Sequence, residues 1–373
     1  MTVSAAVAIA AMAVMAIAAS WREASASPFA AEPAAARAGT QIPAPLPDGL
    51  ALGADLRGPY RAAFCGRAML APADCRRSLR AFAGEAAAPR PVAAAADRYR
   101  LLFVPGFLAT CFPAVHSFAD MIEAARARGI QAQALAAGGR DGVAVNARRL
   151  ADQVDLLPSD GRRLLFVGHS KGVLDVLAML GARPDIAART EAVVAIAGAL
   201  RGSPLADALR GLYAATLAWF PFPGCARGDG DPVGDLSPSA SGAFWNGPAG
   251  HSGVPVYAIV AMPDLARLSP AVLPTYLRLA SAADPSDGMV PLRSQMVPAA
   301  TLLGVVNADH LGVAIPFPGA AFVLLFNAEP FPRDAMLLAA IDVIAASAQA
   351  APRAAIGDGD RTPGDAQAGR RVE

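Results

Sequence analysis

The stretch that decides the fold is Arg163–Pro184, with the sequence RLLFVGHSKGVLDVLAMLGARP. Its first half contains the apolar run LLFV, which is typical of a central parallel strand that is covered on both faces. In its second half, Val173–Leu180, apolar residues recur at helical spacing, and Gly181 and Pro184 supply a helix stop. Ser170 lies between these halves. We therefore predict a strand, a sharp turn that exposes Ser170, and a helix.

The junction reads Gly168-His169-Ser170-Lys171-Gly172, which is the G-x-S-x-G pattern of a nucleophile elbow. Glycines flank the serine in such a turn because the strand and helix backbones approach each other closely. With its flanking elements, this motif resembles the α/β-hydrolase serine hydrolases, particularly the GHSxG lipases and esterases. The resemblance covers roughly residues 99–346 and implies a mostly parallel sheet flanked by helices, with a cap or lid insertion.

The patterns around the elbow alternate between strand and helix. Predicted strands lie at 100–104, 130–135, 192–197, 254–261 and 300–306, and predicted helices at 118–128, 145–156 and 334–346. Such alternation is typical of a mostly parallel, doubly wound sheet. Together with the resemblance, this pattern implies an α/β-hydrolase domain at 99–350.

A serine hydroxyl becomes a good nucleophile when an imidazole takes its proton and a carboxylate orients that imidazole. In the family that the sequence resembles, the chain order is serine, acid, histidine, and the histidine follows the last strand. Of the four histidines, only His310 fits that rule, so we predict Ser170 as nucleophile and His310 as base. His169 is the serine's sequence neighbour, and we expect it to point elsewhere.

The acid has more than one candidate. Asp287 lies in the segment SDGMVP, which is similar to the family's D-G-x-V-P acid loop, and we expect it to orient the histidine. The alternatives are Asp264, which closely follows the predicted strand at 254–261, and Asp284. Asp309 is expected to flank His310 rather than orient it, because neighbouring side chains diverge.

Two backbone amides are predicted to form an oxyanion hole. The strand at 100–104 leads into Pro-Gly-Phe, and in the family that the sequence resembles a loop at this place supplies one N–H, here that of Phe107. The other is the N–H of Lys171, at the positive end of the elbow helix. We expect the Lys171 side chain at the surface, paired with Asp175.

Residues 201–254 interrupt the α/β rhythm with many Gly and Pro. Aromatic residues make up only 6% of the chain, yet they cluster here, which predicts a cap or lid that lines an apolar acyl-binding cleft. The alternative is that these aromatics merely bury a long insertion. The candidates for substrate contact are Trp219, Phe220, Phe222 and Trp245.

The N-terminal segment predicts that the protein is exported. Residues 1–26 have an apolar core and an A-S-A cleavage site, as in a secretory signal peptide. Because no Lys or Arg precedes that core, an uncleaved membrane anchor is the alternative, and otherwise the protein is periplasmic or secreted. We predict a linker and small N-terminal extension at 27–98 and a disordered tail at 351–373.

Four cysteines also suit an oxidising compartment. We predict a local disulfide, Cys65–Cys75, and a second one, Cys111–Cys225, from the remaining pair. The second bridge would join the loop after the first core strand to the insertion.

The composition limits the classes of substrate and partner that we expect. The formal net charge of +1 gives no sign of a nucleic-acid footprint, so we expect small-molecule or lipid ester substrates, with contact at a lipid interface. We expect no metal, because there is no C-x2-C pair and the histidines are scattered. We expect no cofactor, because a serine nucleophile with an imidazole base and a carboxylate needs none. We predict a serine hydrolase that cleaves carboxylic esters through an acyl-enzyme. The alternatives are an acyltransferase on the same scaffold and a non-catalytic binding protein.

Overall fold

The computed structural model describes residues 44–67, 70–112, 114–222, 224–247, 250–280, 285–317 and 319–350. The predicted signal peptide, the first part of the predicted linker, the predicted tail and the alternative acid Asp284 lie outside the described residues.

The described residues form a six-stranded sheet in the order β2-β1-β3-β4-β5-β6, in which all neighbouring strands are parallel. The strands are β1 Tyr99–Val104, β2 Gln131–Ala134, β3 Arg163–His169, β4 Thr190–Ile196, β5 Val256–Ala261 and β6 Ala300–Val306. The predicted parallel sheet is therefore confirmed, and β6 has the predicted bounds.

Helices cover both faces of this sheet. They are α1 Arg57–Cys65, α2 Pro72–Ser78, α3 Ala119–Ala127, α4 Val143–Asp155, α5 Lys171–Ala182, α6 Pro184–Arg189, α7 Pro204–Ala215, α8 Pro238–Asn246, α9 Leu273–Ala280 and α10 Arg333–Ala350. Alternate residues of β1 enter two different cores: Leu101 packs on the side of α3 and α10, and Leu102 on the side of α4 and α5. A central strand that is buried on both faces explains why its sequence is apolar throughout.

The segment before β1 belongs to the core. Tyr60 and Phe64 of α1 are fully buried against α10 and β6. Asp55 forms a parallel bridge with Leu302 of β6, and Leu79 forms an antiparallel bridge with Val306. This part of the predicted extension thus covers the β6 edge of the sheet.

Both predicted disulfides are confirmed. The Cα atoms of Cys65 and Cys75 are 5.3 Å apart, and those of Cys111 and Cys225 are 4.6 Å apart. The second bridge ties the loop after β1 to the insertion between β4 and β5. In the described part of the chain, no helix has the length and apolar character that a membrane span requires.

Candidate active site

Ser170 sits at a strained turn between β3 and α5. Its backbone has φ 53° and ψ −124°, in a region that residues other than glycine rarely adopt. A Cβ atom at Gly172 would lie 2.4 Å from the carbonyl oxygen of Val104, and one at Gly168 would lie 2.9 Å from the Cα of Val173. The two glycines therefore let the helix cross close to the strands, as the motif predicts.

Ser170, His310 and Asp287 meet at the carboxyl ends of the strands. Ser170 Oγ is 2.9 Å from His310 Nε2, and His310 Nδ1 is 2.7 Å from Asp287 Oδ2. All three side chains are buried or nearly so. Since a carboxylate only accepts, His310 Nδ1 carries the proton in this bond, and Nε2 is left to accept from the serine hydroxyl.

Asp287 is itself held in a tight loop. Its Oδ1 accepts from the N–H groups of Met289, at 2.9 Å, and Val290, at 2.7 Å. Its backbone carbonyl accepts from the N–H of His310 at 2.8 Å. Gly288 between them has φ +101°, which a glycine adopts without strain. The carboxylate is thereby oriented toward the imidazole before any substrate binds.

The alternative acid Asp264 lies elsewhere. Its carboxylate forms an ion pair with Arg80 and accepts from the Nδ2 of Asn307 at 2.7 Å. The structure thus brings Asp287, and not Asp264, to His310.

Asp309 closes the loop that carries His310. Its Oδ1 accepts from the N–H groups of Leu311 and Gly312, and its Oδ2 from that of Ser269. Burial raises the pKa of Asp309. None of its hydrogen bonds within the described residues reaches the imidazole, so it shapes the loop and does not orient the ring.

His169 lies under His310. Its Nε2 is 2.8 Å from the carbonyl oxygen of His310, and the two ring centroids are 4.7 Å apart. Burial, and then the proximity of His310, lower the pKa of His169 well below its usual 6.5. The sequence indicates that this ring points away from the serine hydroxyl, but it gives no sign of the contact with His310.

The loop that carries Phe107 and the first turn of α5 both lie against Ser170. A Cβ atom at Gly106 would lie 3.0 Å from Ser170 Cβ, so the loop that carries Phe107 runs directly against the serine. No loop hydrogen bond between the described residues uses the N–H of Phe107. Lys171 is the first residue of α5, and its N–H has no acceptor within the helix.

The predicted surface position of the Lys171 side chain is wrong. The residue is only 1% exposed, because α4 packs over this side of α5. The predicted partner is confirmed, since Lys171 Nζ is 2.6 Å from Asp175 Oδ1. Asn146 of α4 donates to the other carboxylate oxygen at 2.9 Å. Burial raises the pKa of Asp175 to about 6, against the opposing effect of Lys171.

The insertion after β4 is fastened to the loop that follows β2. The buried guanidinium of Arg140 donates to five carbonyl groups of the insertion, those of Leu217, Ala218, Phe220, Cys225 and Ala226. Asp235 accepts from the N–H of Val143 at 2.6 Å, next to this loop. With the disulfide at Cys225, these contacts fix one side of the insertion against the domain.

The four aromatic candidates for substrate contact have different environments. Trp219 is 61% exposed, with the Arg227 guanidinium 4.4 Å from its ring centroid. Phe220 and Phe222 pack against each other at 4.9 Å. Trp245 donates through its indole N–H to the carbonyl of Leu200 and packs against the core. In the described structure, no ring contact or hydrogen bond joins any of the four to Ser170 or His310.

Tyr213 is an aromatic side chain that packs against the predicted oxyanion loop. Its ring centroid is 5.3 Å from that of Phe107, in a small apolar cluster that includes Ala206 and Val233. Its helical spacing with Leu217 is visible in the sequence, but that spacing indicates only packing.

This chain is similar to proteins of known structure. It is similar to the metagenomic carboxyl esterase MGS0156, with a TM-score of 0.72 and 33% sequence identity over 82% of this chain and 96% of that chain. It is also similar to the mature form of the Bacillus licheniformis lipase BlEst2, with a TM-score of 0.48 and 22% identity over 60% of this chain and 89% of that chain.

No family model and no curated protein matches the sequence. The likeness to the metagenomic esterase nevertheless extends over most of both chains, at an identity that indicates common descent. The chain belongs to the α/β-hydrolase family of carboxyl esterases.

Proposed function

We propose that this protein hydrolyses carboxylic esters through an acyl-enzyme on Ser170. The observation that carries the proposal is the unbroken line of hydrogen bonds from Ser170 Oγ through the imidazole of His310 to Asp287. This is the arrangement that a serine needs to become a nucleophile near neutral pH. The non-catalytic alternative predicts a serine and a histidine beyond hydrogen-bond reach, whereas the observed distance is 2.9 Å.

The first half of the reaction forms the acyl-enzyme. Ser170 Oγ attacks the ester carbonyl while its proton passes to His310 Nε2, and Asp287 stabilises the imidazolium that results. The carbonyl oxygen becomes an oxyanion, which accepts hydrogen bonds from the N–H groups of Phe107 and Lys171. Collapse of this intermediate breaks the bond to the alcohol, which leaves with the proton from His310.

The second half releases the acid. Water gives a proton to His310 and attacks the acyl group, and the new oxyanion uses the same two amides. Its collapse breaks the bond to Ser170 Oγ, which recovers the proton. The burial of Ser170 and His310 supports this role, because oriented donors stabilise developing charge more strongly where water is excluded.

We further propose that the acyl group lies toward the insertion. The apolar contact of Phe107 with Tyr213 supports this placement, since it joins the proposed oxyanion loop to the helix that begins the insertion. The contact of Trp219, Phe220, Phe222 and Trp245 with substrate is a proposal of the same kind. Two disulfides support export to an oxidising compartment.

The proposal is tested with p-nitrophenyl esters of increasing acyl length. We expect wild type to hydrolyse part of the series and Ser170→Ala to lose at least about 10⁴-fold in kcat. Ser241→Ala is the matched control, because that hydroxyl is also buried and hydrogen-bonded but lies in the insertion, on the carbonyl of Leu200. Ester hydrolysis that survives Ser170→Ala, or a folded wild type that cleaves no ester of the series, would refute the proposal. Product analysis with added alcohol distinguishes acyl transfer from hydrolysis.

A further inference from the structure

His169, which precedes the serine in the elbow, is bonded to the backbone of His310. His169 is 4% exposed, and its Nε2 lies 2.8 Å from the carbonyl oxygen of His310. A carbonyl oxygen can only accept, so Nε2 must carry a proton and donate it. Burial keeps the ring uncharged, and an uncharged imidazole has one proton only. His169 is therefore a neutral donor in a defined tautomer.

This bond completes a set of four that hold His310. Its backbone N–H donates to the carbonyl of Asp287 at 2.8 Å, and its carbonyl accepts from His169. Its side chain is fixed at Nδ1 by the Asp287 carboxylate and reaches Ser170 Oγ through Nε2. The backbone of His310 is thus tied to the acid residue on one side and to the elbow on the other.

The elbow bond has a particular geometric consequence. His169 and Ser170 are consecutive, so their side chains leave one rigid turn in different directions, and both end on His310. A displacement of the His310 backbone away from the elbow would lengthen the bond to His169 as well as the one to Ser170 Oγ. One turn therefore helps to set the distance between the nucleophile and the backbone that carries the base.

The His169 ring has little freedom to move. His169 is the last residue of strand β3 and pairs in register with Ile196 of β4, so its backbone is fixed by the sheet. The Phe118 ring stands edge-on to the imidazole of His169, with the two ring centroids 6.4 Å apart. On another side, a Cβ atom at Gly106 would lie 3.2 Å from His169 Nδ1. A ring confined on these sides is a stable anchor for the loop that carries His310.

We propose that His169 is a positioning residue that fixes the general base His310 through its backbone carbonyl. The proposal rests on the proposed role of Ser170 and His310. The bond positions His310 for proton transfer from Ser170. Its loss should therefore lower kcat and leave substrate binding nearly unchanged.

The test compares a variant that removes the donor with one that restores it. His169→Leu introduces an apolar side chain of similar bulk that has no N–H to donate. His169→Gln, in contrast, places an amide N–H about as far along the side chain as imidazole Nε2. We expect kcat to fall about 10- to 100-fold in His169→Leu, with KM within about twofold, and to recover most of that loss in His169→Gln. His251→Leu is the control, because His251 also bonds a carbonyl, that of Gly247, but in the exposed insertion.

A spectroscopic measurement adds a readout that packing alone would not move. The proton between His310 Nδ1 and Asp287 should give a downfield NMR signal in wild type and in His169→Gln, and that signal should broaden or vanish in His169→Leu. If His169→Leu does not fold, His169→Asn takes its place, since its shorter side chain stops short of the carbonyl, and the same loss is expected.

Wild-type kcat in folded His169→Leu, or in His169→Asn if the leucine variant does not fold, overturns the proposal. So does an equal loss in His169→Leu and His169→Gln. The proposed function is judged separately: if Ser170→Ala is inactive while His169→Leu is fully active, only the positioning role fails.

Discussion

Replacing Asp287 with asparagine reverses the proton arrangement of the site. Asp287 Oδ1 accepts from two backbone N–H groups, those of Met289 and Val290. A backbone N–H can only donate, so the oxygen of the asparagine must keep that place and its NH₂ group must face His310 Nδ1. Nδ1 then has to accept, the ring proton moves to Nε2, and Nε2 can no longer take the proton of Ser170.

The size of the effect follows from the loss of the base. The residue keeps its shape and both backbone bonds, so the fold should be retained. A triad with the wrong imidazole tautomer loses about 10⁴-fold in kcat. At about 1.36 kcal/mol for each factor of ten, Asp287→Asn should raise the activation barrier by about 5.4 kcal/mol.

The assay is kcat for a p-nitrophenyl ester that wild type cleaves, with near-UV circular dichroism as the check of folding. Asp264→Asn is the matched control, and its kcat should stay within about twofold of wild type, because Asp264 contacts Arg80 and Asn307 and not the imidazole. A kcat for Asp287→Asn within tenfold of wild type would refute the reasoning. A larger loss in Asp264→Asn or Asp284→Asn would assign the acid to that residue instead.

Buried contacts outside the active site also have measurable consequences. Arg140→Lys loses the planar fork that reaches five carbonyls, so hydrogen exchange at residues 217–226 should speed up at least about tenfold. Gly172→Ala places a Cβ atom against the Val104 carbonyl and should cost about 1–3 kcal/mol in urea unfolding. The pKa of Asp175 is raised to about 6 from 3.8, so the folded state keeps a proton that the unfolded state releases. Through this group the free energy of unfolding is highest below about pH 4 and falls as the pH rises to about 6, a decline that Asp175→Asn should lack.

Each of these predictions has a contradicting result. Unchanged exchange in Arg140→Lys would show that the bonds of Arg140 are not needed to fix the insertion. A wild-type free energy of unfolding in Gly172→Ala would mean that the helix can shift away from β1 without cost. Parallel curves of stability against pH for wild type and Asp175→Asn would mean that the carboxyl group does not bind its proton more tightly in the folded state.

The elements around Ser170 could be predicted because their signals are local. A strand that is buried on both faces is apolar along its whole length, and the two flanking glycines mark the close approach of backbones that the structure shows. The position of His310 followed from chain order, since β6 is a clear apolar strand and His310 comes soon after it. The sheet, both disulfides and the meeting of Ser170, Asp287 and His310 were within reach of such reasoning.

The environment of Lys171 could not be predicted from the sequence, because it depends on a helix elsewhere in the chain. Lys171 and Asp175 are charged and one turn apart, which usually indicates an exposed ion pair. Asn146 lies 29 residues before Asp175 and gives no sign in the sequence that it bonds the carboxylate. Burial of the pair becomes evident only when α4 is placed over α5.

The segment before β1 and the insertion illustrate the same limit. Ala- and Pro-rich flanks make Tyr60 and Phe64 look like part of a small extension, although both are core residues against β6. Aromatic clustering in the insertion indicates burial or binding, but composition carries no direction. In the structure, Trp219 is exposed, whereas Trp245 packs on the body of the domain.

Covalent labelling by a fluorophosphonate, followed by mass spectrometry of the digested protein, identifies the nucleophilic serine directly. If Ser170 is that serine, one stoichiometric adduct forms on the peptide that contains it, and labelling is abolished in Ser170→Ala and strongly slowed in Asp287→Asn. A folded wild-type protein that takes no label, or an adduct on any other serine, would contradict that assignment.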